Sequence, residues 1–553
     1  MDDTGSTSAP AVLDRVQARM QRVSLRADGL RMRLTPRWAL SQRVEADSGA
    51  PDDWSFLRRP ALLGFLAIVS ICIGASLPSS PFKLEMAGTW FFGEPNATGV
   101  SQSALLLPGM VAVYGGMILF VRVWFGLVQT LRRRPGAPIK PLFAMLALWI
   151  VPLLLVAPLF SRDVFSYAAQ GEMMSHHINP YDFGPGTIGS GQFVAPVDGL
   201  WLNTPAPYGP LFLMLAGWSA SLSGHDALVT VVYQRILSVI GVALIAYCIP
   251  KLARAMDRDA GSAFVLAVLN PLTLLALIGG AHNDAIMVGL VLAGVTAAKT
   301  KHPVVGIVLC TLAAAIKVPA AMGIVYVAWD WAGADVEWRQ RVKPLVRAGL
   351  IALAVMGVLS MVSGLGWGWI ANLGTPGTVR SWMAPATAVG QLLSGALHVM
   401  GVGVGLGGVL TVTRLLGLMG AAAIACYCLW NSQRIGMLRA LGISMLMFVI
   451  LGPVVQPWYL TWGIIVMAPV VTGRMRTLVL ALSMVAPFIG LTGGASLLNQ
   501  LVHTNPASMV AAVIVLYGVV MLPLGRWTSS WRIDTGRLAS ALPVPGRTPA
   551  LES

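Results

Sequence analysis

Charged side chains are scarce in this sequence. Only 11% of its 553 residues are charged, with 38 Lys and Arg against 23 Asp and Glu, whereas soluble domains carry about 25%. Hydrophobic residues make up 56% of the chain, and the mean hydropathy over its whole length is +0.72. These values exclude a soluble enzyme held by a single anchor. They predict an all-α polytopic membrane protein.

Cysteine is also rare. All five cysteines fall inside apolar segments: Cys72, Cys248, Cys310, Cys426 and Cys428. Cys426 and Cys428 are separated by one residue and have no neighbouring His, which is not the spacing of a zinc site. We therefore exclude a disulfide framework and expect buried, unreactive thiols.

The net charge of +15 is not arranged as in a nucleic-acid-binding protein, because no basic run is interleaved with stacking aromatic residues. Lys and Arg instead cluster in short stretches between apolar segments, as in cytoplasmic loops. Residues 1–57 are polar and rich in Arg, which does not match a signal peptide. We expect a partly disordered cytoplasmic tail. An alternative is that part of it lies on the inner leaflet as an amphipathic helix.

The apolar segments predict about fourteen membrane-spanning helices, since a span needs about 20 apolar residues. The basic run Arg132-Arg133-Arg134 places the loop after the second span in the cytoplasm, so the long stretch 161–227 is external. Within it, segment 209–223 is too short for a span and predicts a re-entrant or interfacial helix. Region 303–332 predicts a hairpin with Lys317-Val318-Pro319 at its outer tip. The other candidate spans are 59–77, 105–129, 141–160, 228–250, 262–279, 284–299, 347–366, 406–430, 439–455, 458–472, 477–492 and 506–524.

This topology divides the chain into four parts. They are the basic tail 1–57, an N-terminal transmembrane hairpin over 58–130, a membrane core over 131–524 and a cytoplasmic C-terminal tail over 525–553. The ionisable residues of the core concentrate on its outer face, where such groups are candidates for function. Three arginines, Arg122, Arg235 and Arg414, fall within spans instead, and snorkelling to an interface is their alternative explanation.

Asp163 directly follows a long apolar segment. A carboxylate at this boundary between lipid and water could act as a general base on a lipid-linked substrate and still reach water-borne groups. Two structural explanations stay open. Asp163 could pair with neighbouring Arg162, or it could cap a helix that begins at Val164.

The predicted outer face carries six motifs between about 160 and 460. They are Arg162-Asp163-x-Phe165-x-Tyr167-x-x-Gln170-Gly171, Asn179-Pro180-Tyr181, Pro207-Tyr208-Gly209-Pro210-Leu211, Gly280-Ala281-His282-Asn283-Asp284, Ile316-Lys317-Val318-Pro319 and Gln456-Pro457-Trp458-Tyr459-Leu460-x-Trp462. This ordered set resembles the motifs of GT-C glycosyltransferases. The closer resemblance is to the polyprenyl-phosphomannose-dependent α-1,6-mannosyltransferases of mycolic-acid-bearing actinobacteria, which extend the mannan backbone of lipomannan and lipoarabinomannan.

The resemblance implies a GT-C catalytic core with Asp163 as the general base of an inverting mannosyl transfer. The leaving phosphate then needs positive charge rather than a general acid. We expect Lys317 and Arg380 to supply it. Snorkelling or a pair with Asp284 is the alternative for Lys317, and an ordinary solvated charge is the alternative for Arg380. No cofactor is expected, and a divalent metal is not expected to be required.

The same motifs imply a set of residues that contact the sugar or the donor. They are Tyr167, Asn179, Tyr181, Tyr208, His282, Asn283, Asp284, Gln456, Trp458 and Tyr459. For His282-Asn283-Asp284, metal ligation or a structural loop cap is the alternative. Adjacent His176 and His177 would point about 100° apart on a helix, so we expect one surface and one packed histidine rather than a zinc pair. Further aromatic residues of the outer rim, including Trp201 and Trp462, are typical of an interfacial belt.

The expected function is transfer of mannose from polyprenyl-phosphate-mannose to a lipid-anchored α-1,6-mannan acceptor on the outer face of the plasma membrane. A GT-C enzyme with another linkage or acceptor (α-1,2-mannosyl, arabinosyl or protein mannosylation) is the nearest alternative. A transporter or flippase for a lipid-linked sugar is another. Internal repeats would favour the transporter, and we find no convincing repeat between the halves. Membrane lipids are expected partners, and nucleic acid is not.

Overall fold

The computed structural model describes residues 55–77, 80, 102–379, 383–489 and 491. In these ranges the chain forms helices joined by turns, and they contain no β-strand. The predicted basic tail, except for its last residues, lies outside the described residues. So do Arg380, the candidate span 506–524 and the predicted C-terminal tail.

The helices before the first break in the membrane core are α1 Arg58–Ser76, α2 Gln102–Arg133, α3 Ile139–Leu155, α4 Asp163–Ser175, α5 Gly199–Leu202, α6 Pro210–Leu222, α7 Ala227–Ala255 and α8 Ala260–Ala267, followed by a π-helix over Thr273–Gly279. The later helices are α9 Asp284–Lys299, α10 Pro303–Ala314, α11 Ala321–Trp331, α12 Trp338–Val362, α13 Gly368–Ala371, α14 Pro385–Val399, α15 Leu406–Trp430, α16 Ser432–Ile435, α17 Met437–Leu451, α18 Leu460–Met467 and α19 Gly473–Ile489. Short 3₁₀ turns at Val318–Ala320 and Pro457–Tyr459 precede α11 and α18.

Five helical segments of the described chain are long and apolar enough to cross a membrane, or six if one bent pair counts as a span. They are Ser55–Ser76, Leu107–Arg133, Ala227–Ala255, Trp338–Val362 and Leu406–Trp430. In each of α12 and α15, only 17% of the 18-residue apolar stretch is buried inside the protein. Large exposed apolar faces of this kind suit a lipid environment. The prediction of an all-α protein with several membrane helices is therefore confirmed, and the number of spans stays a prediction.

Two breaks in the apolar helices bring polar residues into the core. The π-helix and α9 meet at an angle of 115°, and Ala281 in the connection has a left-handed backbone (φ 54°). The predicted hairpin over 303–332 forms as α10 and α11, with Lys317 at the break between them. Pro319 follows at the start of the next turn, where a missing N–H is tolerated.

Two predicted spans differ from the structure. The span 458–472 contains only the 8-residue helix α18 after its 3₁₀ turn. Residues 262–279 were expected to form a single helix, but α8 ends at Ala267 and a π-helix resumes at Thr273. Pro271 disfavours a helical backbone at Asn270. The Asn270 side chain donates to Leu266 O and Ser483 Oγ and accepts from the Leu272 amide. It therefore pairs backbone groups on both sides of the break.

Two of the three arginines within predicted spans bind backbone carbonyls, and the third, Arg122, is exposed. Arg235 is buried and donates to Val156 O and Gly279 O, which joins the end of α3 to the end of the π-helix. Arg414 donates to Thr387 Oγ1, Gly377 O and Val379 O. These two guanidinium groups do not snorkel to an interface, because they are hydrogen-bonded to backbone carbonyls at the ends of helices and loops. Of the cysteines, Cys426 is exposed, contrary to the prediction, and the other four are buried.

Candidate active site

Asp163 is the first residue of α4, directly after the turn that follows α3. Its side chain is 15% exposed, and Asp163 Oδ2 lies 3.6 Å from His282 Nδ1. The nearby Trp201 side chain lowers the pKa of the same carboxyl group, which favours its ionised form. Neither structural explanation of Asp163 is observed. In the described chain no ion pair joins it to Arg162, and the N-cap position belongs to Arg162 rather than to Asp163.

Burial raises the pKa of Asp163 from 3.8 to about 6. The positive charge of Lys317 opposes this rise, and the negative charge of Asp284 adds to it. A carboxyl group with a pKa near 6 is a stronger base than an ordinary aspartate and is still mostly ionised at neutral pH. Asp163 therefore has the properties of a general base.

Lys317 and Asp284 form a buried ion pair. Lys317 Nζ lies 3.0 and 3.1 Å from the two carboxylate oxygens of Asp284, and the side chains are 10% and 0% exposed. Trp462 Nε1 donates to Asp284 Oδ1 at 2.6 Å. Asp284 also occupies the first turn of α9, where the helix dipole favours a negative charge. The alternative prediction that Lys317 pairs with Asp284 is therefore confirmed.

Aromatic rings surround the Lys317 ammonium. Its Nζ lies 4.5 Å from the ring centroid of Tyr459, 5.5 Å from that of Trp462 and 5.7 Å from that of Tyr208. These distances allow cation–π attraction, which is stronger where water is excluded. The site thus keeps a cation in an aromatic environment with one carboxylate partner.

Gly209 brings Tyr208 close to Lys317. The Gly209 amide donates to Ile316 O at 3.1 Å, which joins the loop before α6 to the turn at the end of α10. A Cβ atom at position 209 would lie 2.3 Å from Ala315 O. Only glycine permits this approach of the two backbones.

His282 lies between Asp163 and the aromatic motif near residue 458. Its ring stacks on Trp458 with a centroid distance of 4.1 Å and an interplanar angle of 21°. His282 Nδ1 is 3.5 Å from Tyr167 OH, and the Tyr167 ring packs edge-on against Tyr208 at 5.3 Å. Asp163, Tyr167, Tyr208, His282 and Trp458 therefore belong to one cluster.

Asn283 has polar atoms that its surroundings do not satisfy. The residue is 4% exposed, and neither its Oδ1 nor its Nδ2 has a hydrogen-bond partner among the described residues. The same holds for Trp458 Nε1. Because leaving a buried polar group unpaired costs about 1–3 kcal/mol, such groups next to Asp163 and Lys317 favour a bound water or ligand that completes them.

Three predicted contact residues have other partners or positions. Asn179 Nδ2 donates to Asp182, and Asn179 Oδ1 accepts from the Tyr181 amide. Tyr181 OH donates to Tyr208 O at 2.9 Å, so it holds the backbone of a cluster residue. Gln456 is partly exposed at the start of the 3₁₀ turn that carries Trp458 and Tyr459. Arg380 lies outside the described residues.

The sequence assigned no site role to Trp201 or Trp462, which were expected in an interfacial belt. In the structure Trp462 donates to Asp284, and Trp201 affects the pKa of Asp163. Trp462 lies three residues after Tyr459, so one helical turn separates them. Their rings contact each other at 4.7 Å. The spacing of three residues could therefore have predicted that Trp462 lies beside Tyr459. No comparable signal connects Trp201 to Asp163.

A cavity lies beside His282 and Trp458. Its other lining side chains are largely apolar and include Leu159, Leu272 and Leu275. Within the described chain, the residues close enough to share a metal ion do not include Asp163, His282 or Asp284. The cluster thus combines a mostly buried base, a paired cation and aromatic rings next to an apolar recess.

The chain matches two family models. Residues 61–333 match the model described as "Alpha-(1->6)-mannopyranosyltransferase, N-terminal domain", and residues 386–521 match the "MptB C-terminal domain". No solved structure matches the chain.

Three curated relatives are similar over most of the chain. The "Probable alpha-(1->6)-mannopyranosyltransferase" of Mycolicibacterium smegmatis is 35% identical, over 67% of this chain and 73% of the relative. An alpha-(1->6)-mannopyranosyltransferase of Mycobacterium tuberculosis is 33% identical, over 73% and 77%. Alpha-(1->6)-mannopyranosyltransferase A of the same species is 32% identical, over 75% and 81%.

Proposed function

Because this chain belongs to the alpha-(1->6)-mannopyranosyltransferase family, and is therefore a glycosyltransferase, we propose that it extends an α-1,6-mannan with mannose from polyprenyl-phosphate-mannose. The proposed acceptor is a lipid-anchored mannan. The proposed site is the extracytoplasmic face of the plasma membrane, in a multi-pass chain. The observation that carries this proposal is the mostly buried carboxylate of Asp163 beside the Lys317–Asp284 pair.

Asp163 is the base in the proposed reaction. The acceptor hydroxyl oxygen attacks the anomeric carbon of the donor mannose while Asp163 takes the hydroxyl proton. The bond between that carbon and the phosphate oxygen breaks, and polyprenyl phosphate leaves with the bonding electrons. A single displacement converts a β-linked donor into an α-linked product. It requires one base and no enzyme nucleophile, which agrees with one mostly buried carboxylate of raised pKa.

Lys317 is the proposed cation for the leaving phosphate. An ammonium group has three hydrogen-bond donors, and the two oxygens of Asp284 engage at most two of them. The remaining donor is available to a phosphate oxygen. Asp284 would then hold the ammonium in position, and Arg380 would be a second cation for the same phosphate.

The sugar and the prenyl chain have separate candidate surfaces. Tyr459 and Trp458 offer ring faces of the kind that pack on the C–H face of a pyranose, and the unsatisfied amide of Asn283 offers hydrogen bonds to hydroxyls. The apolar lining around Leu159 and Leu272 would receive the first isoprene units of the donor. A lipid-linked donor would therefore meet the acceptor beside Asp163.

The test is a transfer assay with purified protein in detergent. The donors are polyprenyl-phosphomannose and GDP-mannose, the acceptor is a short α-1,6-mannoside, and the product linkage is determined by NMR. We expect transfer from the lipid donor only, with a new α-1,6 bond. Transfer from GDP-mannose, an α-1,2 linkage or no transfer to any mannoside by folded protein would overturn the proposal.

A further inference from the structure

Three side chains with metal-binding atoms meet at the end of α4 opposite Asp163. They are Glu172 and His176 from α4 and its C-cap, and His225 from the turn between α6 and α7. One ligand atom from each lies within 4.8 Å of the others. His176 Nε2 is 3.0 Å from Glu172 Oε1, and His225 Nδ1 is 2.9 Å from Glu172 Oε2.

We propose that Glu172, His176 and His225 form a binding site for a divalent transition metal of the Zn²⁺ class. Two imidazole nitrogens and a carboxylate oxygen are a donor set that Zn²⁺ accepts, with bonds of about 2.0–2.2 Å. The three atoms already lie within 4.8 Å of one another, so an ion would replace the two contacts between the imidazoles and the carboxylate. This inference goes beyond the proposed transfer reaction and does not depend on it.

The burial of the three side chains suits a metal site with access to water. The Glu172 side chain is 8% exposed, whereas those of His176 and His225 are 57% and 49% exposed. An ion can therefore enter from solvent, and a water molecule can complete a four-coordinate shell. Glu172 supplies negative charge in a partly desolvated position, which strengthens its attraction for a cation.

The backbone holds His225 in a conformation that few non-glycine residues adopt. Its φ is 64°, in the left-handed region that costs about 1 kcal/mol or more for a side chain with a Cβ. The His225 amide donates to Ala220 O, and Gln192 Nε2 donates to His225 O at 2.9 Å. These bonds fix the residue where its Nδ1 faces Glu172.

The expectation of one surface and one packed histidine at 176–177 is wrong, because both are exposed. His176 pairs with Glu172 four residues before it, and His225 reaches the same carboxylate from far along the chain. The i, i+4 spacing of Glu172 and His176 places both on one helix face, but the position of His225 depends on the packing of α6 against α4. The sequence alone therefore gave no reason to group the three residues.

A metal ion at this site would restrain the C-terminal end of α4. Glu172 lies nine positions after Asp163 on the same helix, which corresponds to about 13–14 Å at 1.5 Å per residue. An ion at this distance does not touch a sugar at Asp163. It would instead link the C-terminal end of the helix that carries the base to the turn before α7.

The experiment measures metal binding directly. Purified, chelator-treated protein in detergent is titrated with Zn²⁺ and Co²⁺, with bound metal counted by mass spectrometry and the Co²⁺ site followed by its visible absorption. The variants are His176→Gln and His225→Gln. The control is His177→Gln, which removes an exposed histidine beside the cluster and leaves the three proposed ligands in place.

We expect wild type and His177→Gln to bind about one Zn²⁺ per chain and to show a higher melting temperature with metal. The His176→Gln and His225→Gln variants should lose both the bound ion and the thermal shift. Equal binding by all four proteins, or no binding by folded wild type at micromolar Zn²⁺, would overturn the proposal. None of these readouts requires mannosyl transfer, so failure of the proposed function would be seen separately.

Discussion

His282 Nδ1 lies 3.6 Å from Asp163 Oδ2, and the two residues reach this position from different breaks in the helical core. Asp163 begins α4, whereas His282 lies in the sharp bend between the π-helix and α9. The His282 ring is 1% exposed and stacks on Trp458. One side of the carboxylate therefore faces a fixed imidazole instead of water, and the geometry of Asp163 depends on the broken span.

Asp163→Asn should abolish most of the transfer activity. The amide keeps the shape of the side chain but cannot accept the acceptor proton, and general base catalysis contributes about 10²–10⁴-fold to a rate. We expect a loss of that size in kcat with little change in melting temperature. Asp226→Asn is the matched control, because this exposed aspartate caps α7 and asparagine caps equally well. Equal losses in both variants would contradict the assignment.

The rate should depend on pH through Asp163. Its pKa is raised to about 6 because burial favours the neutral acid, so the base form is lost as the pH falls below that value. We expect kcat/KM to fall about tenfold per pH unit below about pH 6 and to level off above it. The measurement is a rate profile between pH 4.5 and 8, with tryptophan fluorescence as a check on folding. A flat profile down to pH 5 would contradict a raised pKa.

Some parts of the site could be predicted from the sequence because they depend on local signals. Asp163 directly follows an apolar segment, so its place at the start of a new helix follows from hydropathy. Lys317 is adjacent to a Val-Pro pair between two apolar runs, which predicts a hairpin tip. These features need no knowledge of tertiary packing.

The partners of these residues could not be predicted, because they come from distant helices. Lys317 meets Asp284 only because α9 and α10 pack together, and Trp462 reaches the same carboxylate from α18. The break near Asn270 was missed because the apolar pattern continues through Pro271, and hydropathy does not register a missing N–H. Packing, not composition, selects these contacts.

Breaking the Lys317–Asp284 pair should destabilise the protein strongly. Lys317→Met leaves the Asp284 carboxylate buried without its cation, and breaking such pairs costs about 3–5 kcal/mol. The double variant Lys317→Met/Asp284→Asn removes both charges and should recover much of the stability, but not the activity. Thermal unfolding in detergent and the transfer assay measure the two effects separately.

The Lys299–Asp330 pair is the control for this cycle. It has similar distances, but its side chains are 24% and 26% exposed. Lys299→Met should therefore cost no more than about 1 kcal/mol and leave transfer unchanged. A double variant at 317 and 284 that regains full activity would exclude a role for Lys317 at the phosphate.

Trp462→Phe should weaken the site through one hydrogen bond. Phenylalanine keeps an aromatic ring against Tyr459 but loses the N–H that donates to Asp284 Oδ1 at 2.6 Å. Hydrogen bonds to charged groups contribute about 1.5–3 kcal/mol, so both the melting temperature and kcat should fall. Trp218→Phe, at an exposed position of α6, is the control and should change neither. Unchanged stability of Trp462→Phe would show that the carboxylate does not need this donor.

Gly171→Ala should disturb Asp163 from the middle of its own helix. A Cβ atom at Gly171 would lie 2.3 Å from Ala216 O, a backbone atom of α6 that cannot rotate away. The helices α4 and α6 must therefore separate, and both the base at one end of α4 and Glu172 near the other would shift. We expect a lower melting temperature together with reduced transfer.

The control for this helix displacement is Gly126→Ala in α2, where an added Cβ meets no atom within 4 Å. Alanine is favoured over glycine inside a helix by up to about 1 kcal/mol, so this variant should be neutral or slightly more stable. If Gly171→Ala behaved in the same way, close packing of α4 on α6 would not be what positions Asp163. The aromatic contacts of Tyr167 with Tyr208 and Phe212 would then have to hold the helix by themselves.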